Sequence, residues 1–339
     1  MSPVRAVVGT GAWGTTLAVV LARSGPVTLV ARSVPAAAAI ASARENAAHL
    51  PGVRLPDEVL VTADDGRLAA ARELVLIAVP AAHMRETAAR ISSMVRPDTI
   101  VVSVAKGIER GSLARMSQVL CEELPIEPVR VCALSGPNLA SEIAAGLPAS
   151  AVVGAVDGAV GARVVDLLGG WSFRLYRNRD LIGVELAGAL KNIVAIAAGA
   201  VDALQLGDNA KAAIVTRGLA EITRLGVAAG ANPLTFAGLA GIGDILATCA
   251  SPLSRNHRLG MELAGGHPWS EIEASLPGVA EGAYTVEAAL ALAERLGVEL
   301  PIAREVHAVL YEDKPVQESL RDLLARDQKD ELAGLSAAD

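Results

Sequence analysis

Aromatic side chains are almost missing from this chain of 339 residues, with three Trp, three Tyr and two Phe, 2% of the whole. So few rings provide no platform on which the bases of a single nucleic-acid strand could stack. Basic charge is also short: 30 Lys and Arg stand against 37 Asp and Glu, giving a net charge of −7 and a pI of about 5.4. A phosphate-backbone binder needs a basic patch, none is visible, and nucleic acid is not expected as a partner. Cysteine is scarce too. Cys121, Cys132 and Cys249 are odd in number and form no CxxC pair, so neither a disulfide framework nor a metal site is expected, and the chain suits a reducing cytoplasm. Mean hydropathy is high at +0.41, yet long apolar runs are lacking. The most apolar stretch, Leu186–Leu204, is interrupted by Lys191, Asn192 and Asp202. Its remaining run, Ile193–Val201, falls far short of the roughly 20 residues that span a bilayer. It reads as a buried helix, and no membrane partner is expected. Met1-Ser2-Pro3-Val4-Arg5 leads straight into a strand-like segment, without signal-peptide architecture.

Plentiful apolar residues, 52% of the chain, offset the ordering entropy and support globular domains. The length suggests two. In the first half, short β-branched runs at Val4–Val8, Val27–Val30, Glu73–Val79, Thr99–Val104 and Val129–Leu134 alternate with helix-like segments at Thr15–Arg23, Pro35–Ala47 and Ala81–Met94. Ser150–Val156 and Phe173–Tyr176 read as two further strands at the far edge. Strand–helix alternation implies βαβ units in an α/β fold, a Rossmann-type doubly wound parallel sheet. After about Asp180 strand runs vanish. Leu181–Leu204, Lys211–Ala229, Ser254–Ala264, Thr285–Leu296 and Ile302–Leu310 read as helices. The boundary is placed near Asn178–Gly183, giving a dinucleotide-binding domain over 1–180 and an all-α substrate domain over 181–339. The charged tail Arg321–Asp339 is expected to fray.

Gly9-Thr10-Gly11-Ala12-Trp13-Gly14 matches GxGxxG. The pattern alone is weak, since any strand-to-helix turn can hold glycines. Here it follows an expected strand and opens an expected helix, as dinucleotide binding requires. Gly9 permits the tight turn, Gly11 lets the backbone approach a pyrophosphate, and Gly14 lets helix and strand pack closely. Helix N–H groups and the positive dipole end then face the phosphates. NAD-selective folds place an acid about 20 residues on. This chain has Arg32, 18 residues beyond Gly14, followed by Ser33. A guanidinium suits a 2′-phosphate, which favours NADP(H) and keeps NAD(H) as the alternative; an ordinary solvated loop arginine remains the plainer account.

Lys191-Asn192 interrupts an otherwise buried-looking helix, so the lysine must snorkel, pair or act chemically. Burial beside other cations would bring its pKa toward neutrality and suit it to exchange a proton with a ketone or carbinol oxygen. Downstream, Gly238-Leu239-Ala240-Gly241-Ile242-Gly243 leads into Asp244, and Ser254-Arg255-Asn256 opens a helix. Hydroxyl, guanidinium, amide and free N–H groups there can hold a phosphate monoester. A plain Ser N-cap with surface polar residues explains the same residues.

Taken jointly, these segments resemble the soluble NAD(P)-dependent glycerol-3-phosphate dehydrogenases of the bacterial single-chain type. The resemblance rests on Gly9–Thr15, Asn46 with Leu50-Pro51-Gly52, Lys106-Gly107, Ser135-Gly136-Pro137, Glu185-Leu186 with Gly188–Asn192, Gly241-x-Gly243-Asp244 through Thr248-Cys249, Ser254–Asn256 and Glu281-Gly282. It implies a Rossmann domain followed by an all-helical domain and reversible reduction of dihydroxyacetone phosphate to sn-glycerol 3-phosphate, the backbone precursor of glycerophospholipids. It implies Lys191 as the general acid/base, Lys106 contacting substrate and cofactor, and Asp244 positioning Lys191 or the substrate hydroxyl. Ser254, Arg255 and Asn256 would hold the phosphate, with Arg255 also touching cofactor. Gly136, Asn138, Asn192 and Thr248 would line the substrate side. Ala140 would join Gly9, Gly11, Ala12, Trp13, Gly14, Arg32, Val279 and Glu281 on the cofactor.

Two features depart from the family pattern. Asn138-Leu139 stands where the family usually has Ser or Thr followed by Phe, and the turn Ser24–Val27 is short. The short turn would shift Arg32 slightly, and Asn138-Leu139 leaves room for a related phosphorylated or phosphonate substrate. The alternatives are another NADP-dependent dehydrogenase of the same two-domain build, acting on such a ketone or on a hydroxyacid, and, from a different class, a catalytically silent cofactor sensor. Lys106, Lys191, Asp244 and Arg255 together speak against the sensor, which needs no proton donor. The sequence leaves a homodimer open.

Overall fold

The computed structural model describes residues 4–275 and 278–326. Most of the charged tail, 327–339, lies outside the described residues. The chain divides into two compact units: unit 1 is 1–105 with 116–181, and unit 2 is 106–115 with 182–339. The excursion of 106–115 into unit 2 is absent from a single boundary near residue 180.

Unit 1 is built on the strands Arg5–Val8 (β1), Val27–Val30 (β2), Glu45–Asn46 (β3), Leu50–Arg54 (β4), Val59–Thr62 (β5), Leu74–Ile77 (β6), Ile100–Ser103 (β7), Val131–Ser135 (β8), Ala149–Ala155 (β9) and Phe173–Asn178 (β10). Eight of them form one sheet in the order β10-β9-β8-β7-β6-β1-β2-β5. Its central strands are buried along their whole length, as expected of short Val- and Ile-rich runs covered by helices on both faces. The helices are Ala12–Ala22 (α1), Val34–Ala43 (α2), Met84–Ile91 (α3), Met116–Glu123 (α4), Ala140–Ala144 (α5) and Gly158–Leu168 (α6). β1 pairs with β2 on one side and β6 on the other, both in parallel. The chain therefore winds outward from β1 and returns to its opposite edge, which makes the C-terminal end of β1 a switch point, where open α/β sheets take their ligands.

The sheet is not parallel throughout. β9 runs antiparallel to β8, and β10 is parallel to β9. The link from β8 to β9 carries only the five-residue α5, too little helix for a full crossover. The expected helix over Pro35–Ala47 stops early for a local reason. α2 ends at Ala43, Arg44 takes a left-handed conformation at φ 51°, and Glu45-Asn46 pairs with Leu50–Arg54 as a hairpin. The expected helix over Ala81–Met94 keeps α3 at its centre and tightens into 3-10 turns at both ends.

Unit 2 is helical: Leu181–Ala203 (α7), Gly207–Ala228 (α8), Pro233–Phe236 (α9), Asp244–Ala250 (α10), Arg255–Ala264 (α11), Trp269–Ser275 (α12), Glu281–Leu296 (α13), Pro301–Tyr311 (α14) and Val316–Leu324 (α15). α7 is long and apolar enough to cross a membrane by length and composition, yet 89% of its apolar window is buried inside the protein. It is an interior helix of the unit. α11 crosses it in direct backbone contact: a Cβ on Gly260 would stand 1.9 Å from the Ile196 carbonyl oxygen, and one on Gly199 equally close to the His257 carbonyl. This crossing aligns the start of α11 with the polar middle of α7. Gly260→Ala is expected to cost about 1–3 kcal/mol by overpacking, read as a lower midpoint of thermal unfolding. An unchanged midpoint would contradict so close a crossing.

Candidate functional site

The glycine turn of unit 1 is shaped by backbone constraint. Gly9 has φ +110°, and a Cβ there would lie 2.5 Å from the Ala78 carbonyl oxygen, in the space between β1 and β6. Gly14 lies so close beneath that its Cβ would meet the Gly9 oxygen at 2.1 Å. A Cβ on Gly11, by contrast, would meet nothing within 4 Å. Gly11 is also the N-cap of α1, which has no side-chain cap. The first turn of α1 thus keeps its backbone donors free of a side-chain cap beside an open space at Gly11, a cradle that fits a pyrophosphate. Asn46 braces it from the hairpin, its Nδ2 donating to the Thr10 carbonyl at 2.7 Å and to Thr15 Oγ1 at 2.8 Å.

Nearby elements of unit 1 hold further groups. Thr16 Oγ1 donates to the Ala140 carbonyl at 3.1 Å, tying α1 to α5. Trp13 packs edge-on against Phe173 at 6.2 Å, while its buried Nε1 has no hydrogen-bond partner among the described residues. Asn138 follows Gly136 in the turn after β8, and its buried Oδ1 and Nδ2 also lack partners there. Buried polar atoms left unmatched are costly and mark places where a ligand can supply the missing partner. Arg32 lies two residues beyond the end of β2, is exposed, and has no ion pair among the described residues. Ser33 caps α2 through the Ala36 amide.

The second set lies in unit 2 and converges on one carboxylate. Asp244, 2% exposed, begins α10 after a π-helical turn over 239–243. That turn needs Gly241, where a Cβ would sit 2.0 Å from the Phe236 carbonyl oxygen. Lys191, on α7 and 5% exposed, places its Nζ 3.0 Å from Asp244 Oδ1. Lys106 places its own Nζ 2.6 Å from Asp244 Oδ2. Lys191 also donates to Thr248 Oγ1, and Thr248 donates to Asp244 Oδ1 at 3.2 Å. Burial pushes the Lys191 pKa down to about 8, with the Lys106 charge adding to the fall and Asp244 opposing it. A lysine of this kind exchanges protons near neutral pH.

A chain of amides supports these groups. The Gly282 N–H donates to Asn256 Oδ1 at 2.9 Å, Asn256 Nδ2 donates to Asn192 Oδ1 at 2.9 Å, and Asn192 Nδ2 reaches the Lys106 carbonyl at 3.5 Å. Asn256 and Asn192 are thereby drawn into holding α7, α11, α13 and Lys106 together. Ser254 caps α11 by accepting from the His257 amide at 3.2 Å. Arg255 is at the surface of unit 2, with its guanidinium packed against Gly278. Partial desolvation lowers its pKa, and the charge of Glu281, in the first turn of α13, opposes that. Val279 lies just before that helix, partly buried.

The structure therefore gathers Lys106, Lys191, Asn192, Asp244, Thr248 and Asn256 into one connected network, with Arg255 and Glu281 adjacent to each other in the same unit. Gly9–Gly14, Arg32, Gly136, Asn138 and Ala140 belong to unit 1. Two supporting contacts escaped the sequence reading. One is Asn46, quoted there only as a matching residue. The other is the ion pair of Arg115 with Glu185 on α7. A glutamate in an apolar helix signals that a cation is needed, but nothing in local spacing points to an arginine 70 positions away.

Models of NAD-dependent glycerol-3-phosphate dehydrogenases match the chain in both parts, the N-terminal model over residues 5–160 and the C-terminal model over 180–321. A glycerol-3-phosphate dehydrogenase (NAD(P)+) from Streptomyces avermitilis is 45% identical over 332 residues, 97% of this chain and 99% of the relative. One of the same name from Geobacter sulfurreducens is 43% identical, covering 96% of this chain and 98% of the relative. The crystal structure of the Coxiella burnetii glycerol-3-phosphate dehydrogenase superposes with a TM-score of 0.90 at 35% identity, covering 96% of this chain and all of that one. A ketopantoate reductase from Ralstonia eutropha superposes at 0.58 with 16% identity, a likeness of fold alone.

The Lys191 amine is expected to titrate near pH 8 instead of near 10.5, measured by the pH dependence of its modification with a small electrophile. Asp244→Asn should lower that midpoint further, because it removes the attraction that opposes burial. A midpoint that rises in this variant would contradict the geometry.

Proposed function

The chain belongs to the NAD-dependent glycerol-3-phosphate dehydrogenase family, and on that premise we propose that it reversibly reduces dihydroxyacetone phosphate to sn-glycerol 3-phosphate with NAD(P)H. The observation that carries this reading is the buried Lys191–Asp244–Lys106 cluster, two ammonium groups sharing one carboxylate. When bound, the nicotinamide cofactor supplies the hydride.

The residues of the chain supply the rest. Reduction of a ketone builds negative charge on oxygen, and Lys191 stabilises that charge and delivers the proton. A pKa of about 8 leaves Lys191 mostly protonated at neutral pH yet able to give its proton up. In the oxidative direction the neutral amine takes the carbinol proton. Asp244 fixes the amine, and Thr248 fixes it from a second side. Two cations against one anion leave the cluster net positive, which suits an anionic substrate. Lys106 is assigned to the substrate and the cofactor, Asn192 and Thr248 to the substrate side. Arg255, with Ser254 and Asn256 at the start of α11, is assigned to the phosphate. Anchoring this remote group fixes the carbonyl for reaction.

The glycine cradle, with Ala12, Trp13 and Ala140, is assigned to the dinucleotide. Gly136 and the unmatched amide of Asn138 are assigned to the substrate side. Arg32, in place of the acid that would bond a free ribose hydroxyl, supports a preference for NADPH over NADH. Val279 and Glu281 are assigned to the cofactor as well. We place this chemistry in the cytoplasm, where buried thiols such as Cys132 and Cys249 stay reduced. Its product is the backbone of glycerophospholipids.

The direct test follows NADPH oxidation with dihydroxyacetone phosphate, then with unphosphorylated dihydroxyacetone, then with NADH in place of NADPH. Turnover is expected to be far higher with the phosphorylated ketone and with NADPH. Equal turnover of the two ketones would reject the phosphate assignment, and a clear NADH preference would reject the role of Arg32. Lys191→Ala is expected to lower kcat by about 10²–10⁴-fold with NADPH affinity nearly intact. Substantial residual kcat would remove Lys191 from the chemistry.

A further inference from the structure

The segment 106–115 is a detour. The chain leaves unit 1 after Ala105, spends these residues in unit 2, and returns to unit 1 at Met116 to form α4. It forms no helix there. It folds into a closed loop, with an antiparallel bridge between Ile108 and Arg115, the Glu109 amide donating to the Ala114 carbonyl at 2.9 Å, and Leu113 left-handed at φ 59°. The bridge sets Arg115 across from Ile108, two residues from Lys106. Whatever fixes Arg115 therefore fixes the neighbourhood of the Lys106 amine.

Besides the contact of Asn192 Nδ2 with the Lys106 carbonyl, three sets of side-chain contacts from this loop reach the helices of unit 2. Lys106 reaches Asp244. Arg110 stacks over the Tyr284 ring at 5.1 Å, donates to the Tyr311 hydroxyl at 3.3 Å, and pairs with Glu287. Arg115 pairs with Glu185 on α7, with side chains 18% and 5% exposed. The first tie belongs to the reaction and the second is largely solvated. The third is as buried as the first, yet it touches none of the groups assigned to the reaction. A carboxylate so deep in an apolar helix is unfavourable unless matched, so breaking this pair leaves a buried charge without its partner. It also joins the loop to the helix that carries Lys191.

We infer that Arg115 and Glu185 are positioning residues for the reaction, clamping the loop 106–115 to α7 so that Lys106 and Lys191 meet at Asp244. The inference rests on the functional reading above and deepens it. Neither residue need touch substrate. With the clamp broken, Lys106 leaves Asp244 and the carboxylate serves Lys191 alone. Burial has the largest influence on the Lys191 pKa and lowers it; of the neighbouring groups, Asp244 and Cys249 raise it and Lys106 lowers it. Losing Lys106 moves the balance upward. Carbonyl reduction needs the ammonium form, so the high-pH fall in its kcat/KM should then come later.

The experiment compares the wild type with Glu185→Gln, Arg115→Met and the exchanged pair Arg115→Glu with Glu185→Arg. It reads kcat, KM for dihydroxyacetone phosphate, NADPH affinity, the pH profile, and hydrogen exchange of amides 107–115. Each single variant is expected to lose about tenfold in kcat/KM, to bind NADPH as before, to shift its high-pH limb upward, and to exchange faster in the loop. The exchanged pair should recover part of each effect. If a single variant fails to fold, Arg115→Lys, which keeps the charge, takes its place with the same expected signs. Unchanged kcat/KM, or a fall with an unmoved pH limb, would overturn the clamp. A wild type that does not turn over dihydroxyacetone phosphate would sink the functional reading. The exchange measurement then decides the clamp alone, and unaltered exchange in Glu185→Gln overturns it.

Discussion

One carboxylate shared by two ammonium groups is the constraint on which the rest of unit 2 depends. Asp244 is almost fully buried, and a buried carboxylate persists only when matched by cations and hydrogen bonds. Lys191, Lys106 and Thr248 provide that match. Each comes from a different stretch of chain, so satisfying Asp244 fixes α7, the loop 106–115 and α10 at once. The electrostatic demand of one side chain thus becomes a geometric specification. The same burial that makes the arrangement obligatory also brings Lys191 down to about 8 and makes it useful as an acid and base.

Around this centre the supporting structure is built to resist movement. Backbone-to-backbone contact at Gly199 and Gly260 sets the crossing of α7 and α11. The amide chain from Gly282 through Asn256 and Asn192 to Lys106 makes these side chains struts of the unit as well as candidate ligands. Arg255 and the backbone donors that the Ser254 cap leaves over at the start of α11 add to the groups available for an anion. In unit 1 the equivalent economy lies in three glycines with three different jobs. Gly9 bends the chain, Gly14 admits the close packing, and Gly11 leaves open the space that a pyrophosphate would take.

Much of this was legible in the residues. Buried strands announce themselves as short β-branched runs, and Val27–Val30 appears in the structure with the expected bounds. Long helices announce themselves by length, as α7 does. Val59–Thr62 was missed because it is a short strand at the sheet edge, where only Val59 is buried. The hairpin after α2 was hidden by an alanine-rich run that favours helix, and a left-handed Arg44 overrides that preference. The reversal of β9 was equally invisible, since a strand looks the same in either direction. At the site, Lys191 stood out because a lysine is conspicuous among alanine, leucine and valine. Glu185 is nearly as conspicuous, but its partner could not be read from spacing.

The sequence by itself determined the chemistry available and the local shapes: a glycine turn between strand and helix, a lysine inside an apolar helix, an aspartate after a glycine-rich turn, and a helix opened by Ser-Arg-Asn. Composition and periodicity act over a few residues, and these features need no more. Only the tertiary structure decided which of them meet. Lys106 lies 138 positions from Asp244, and Arg115 lies 70 from Glu185. Those pairings follow from the cost of burying charge inside a packed set of helices, a cost that exists only once the helices have come together.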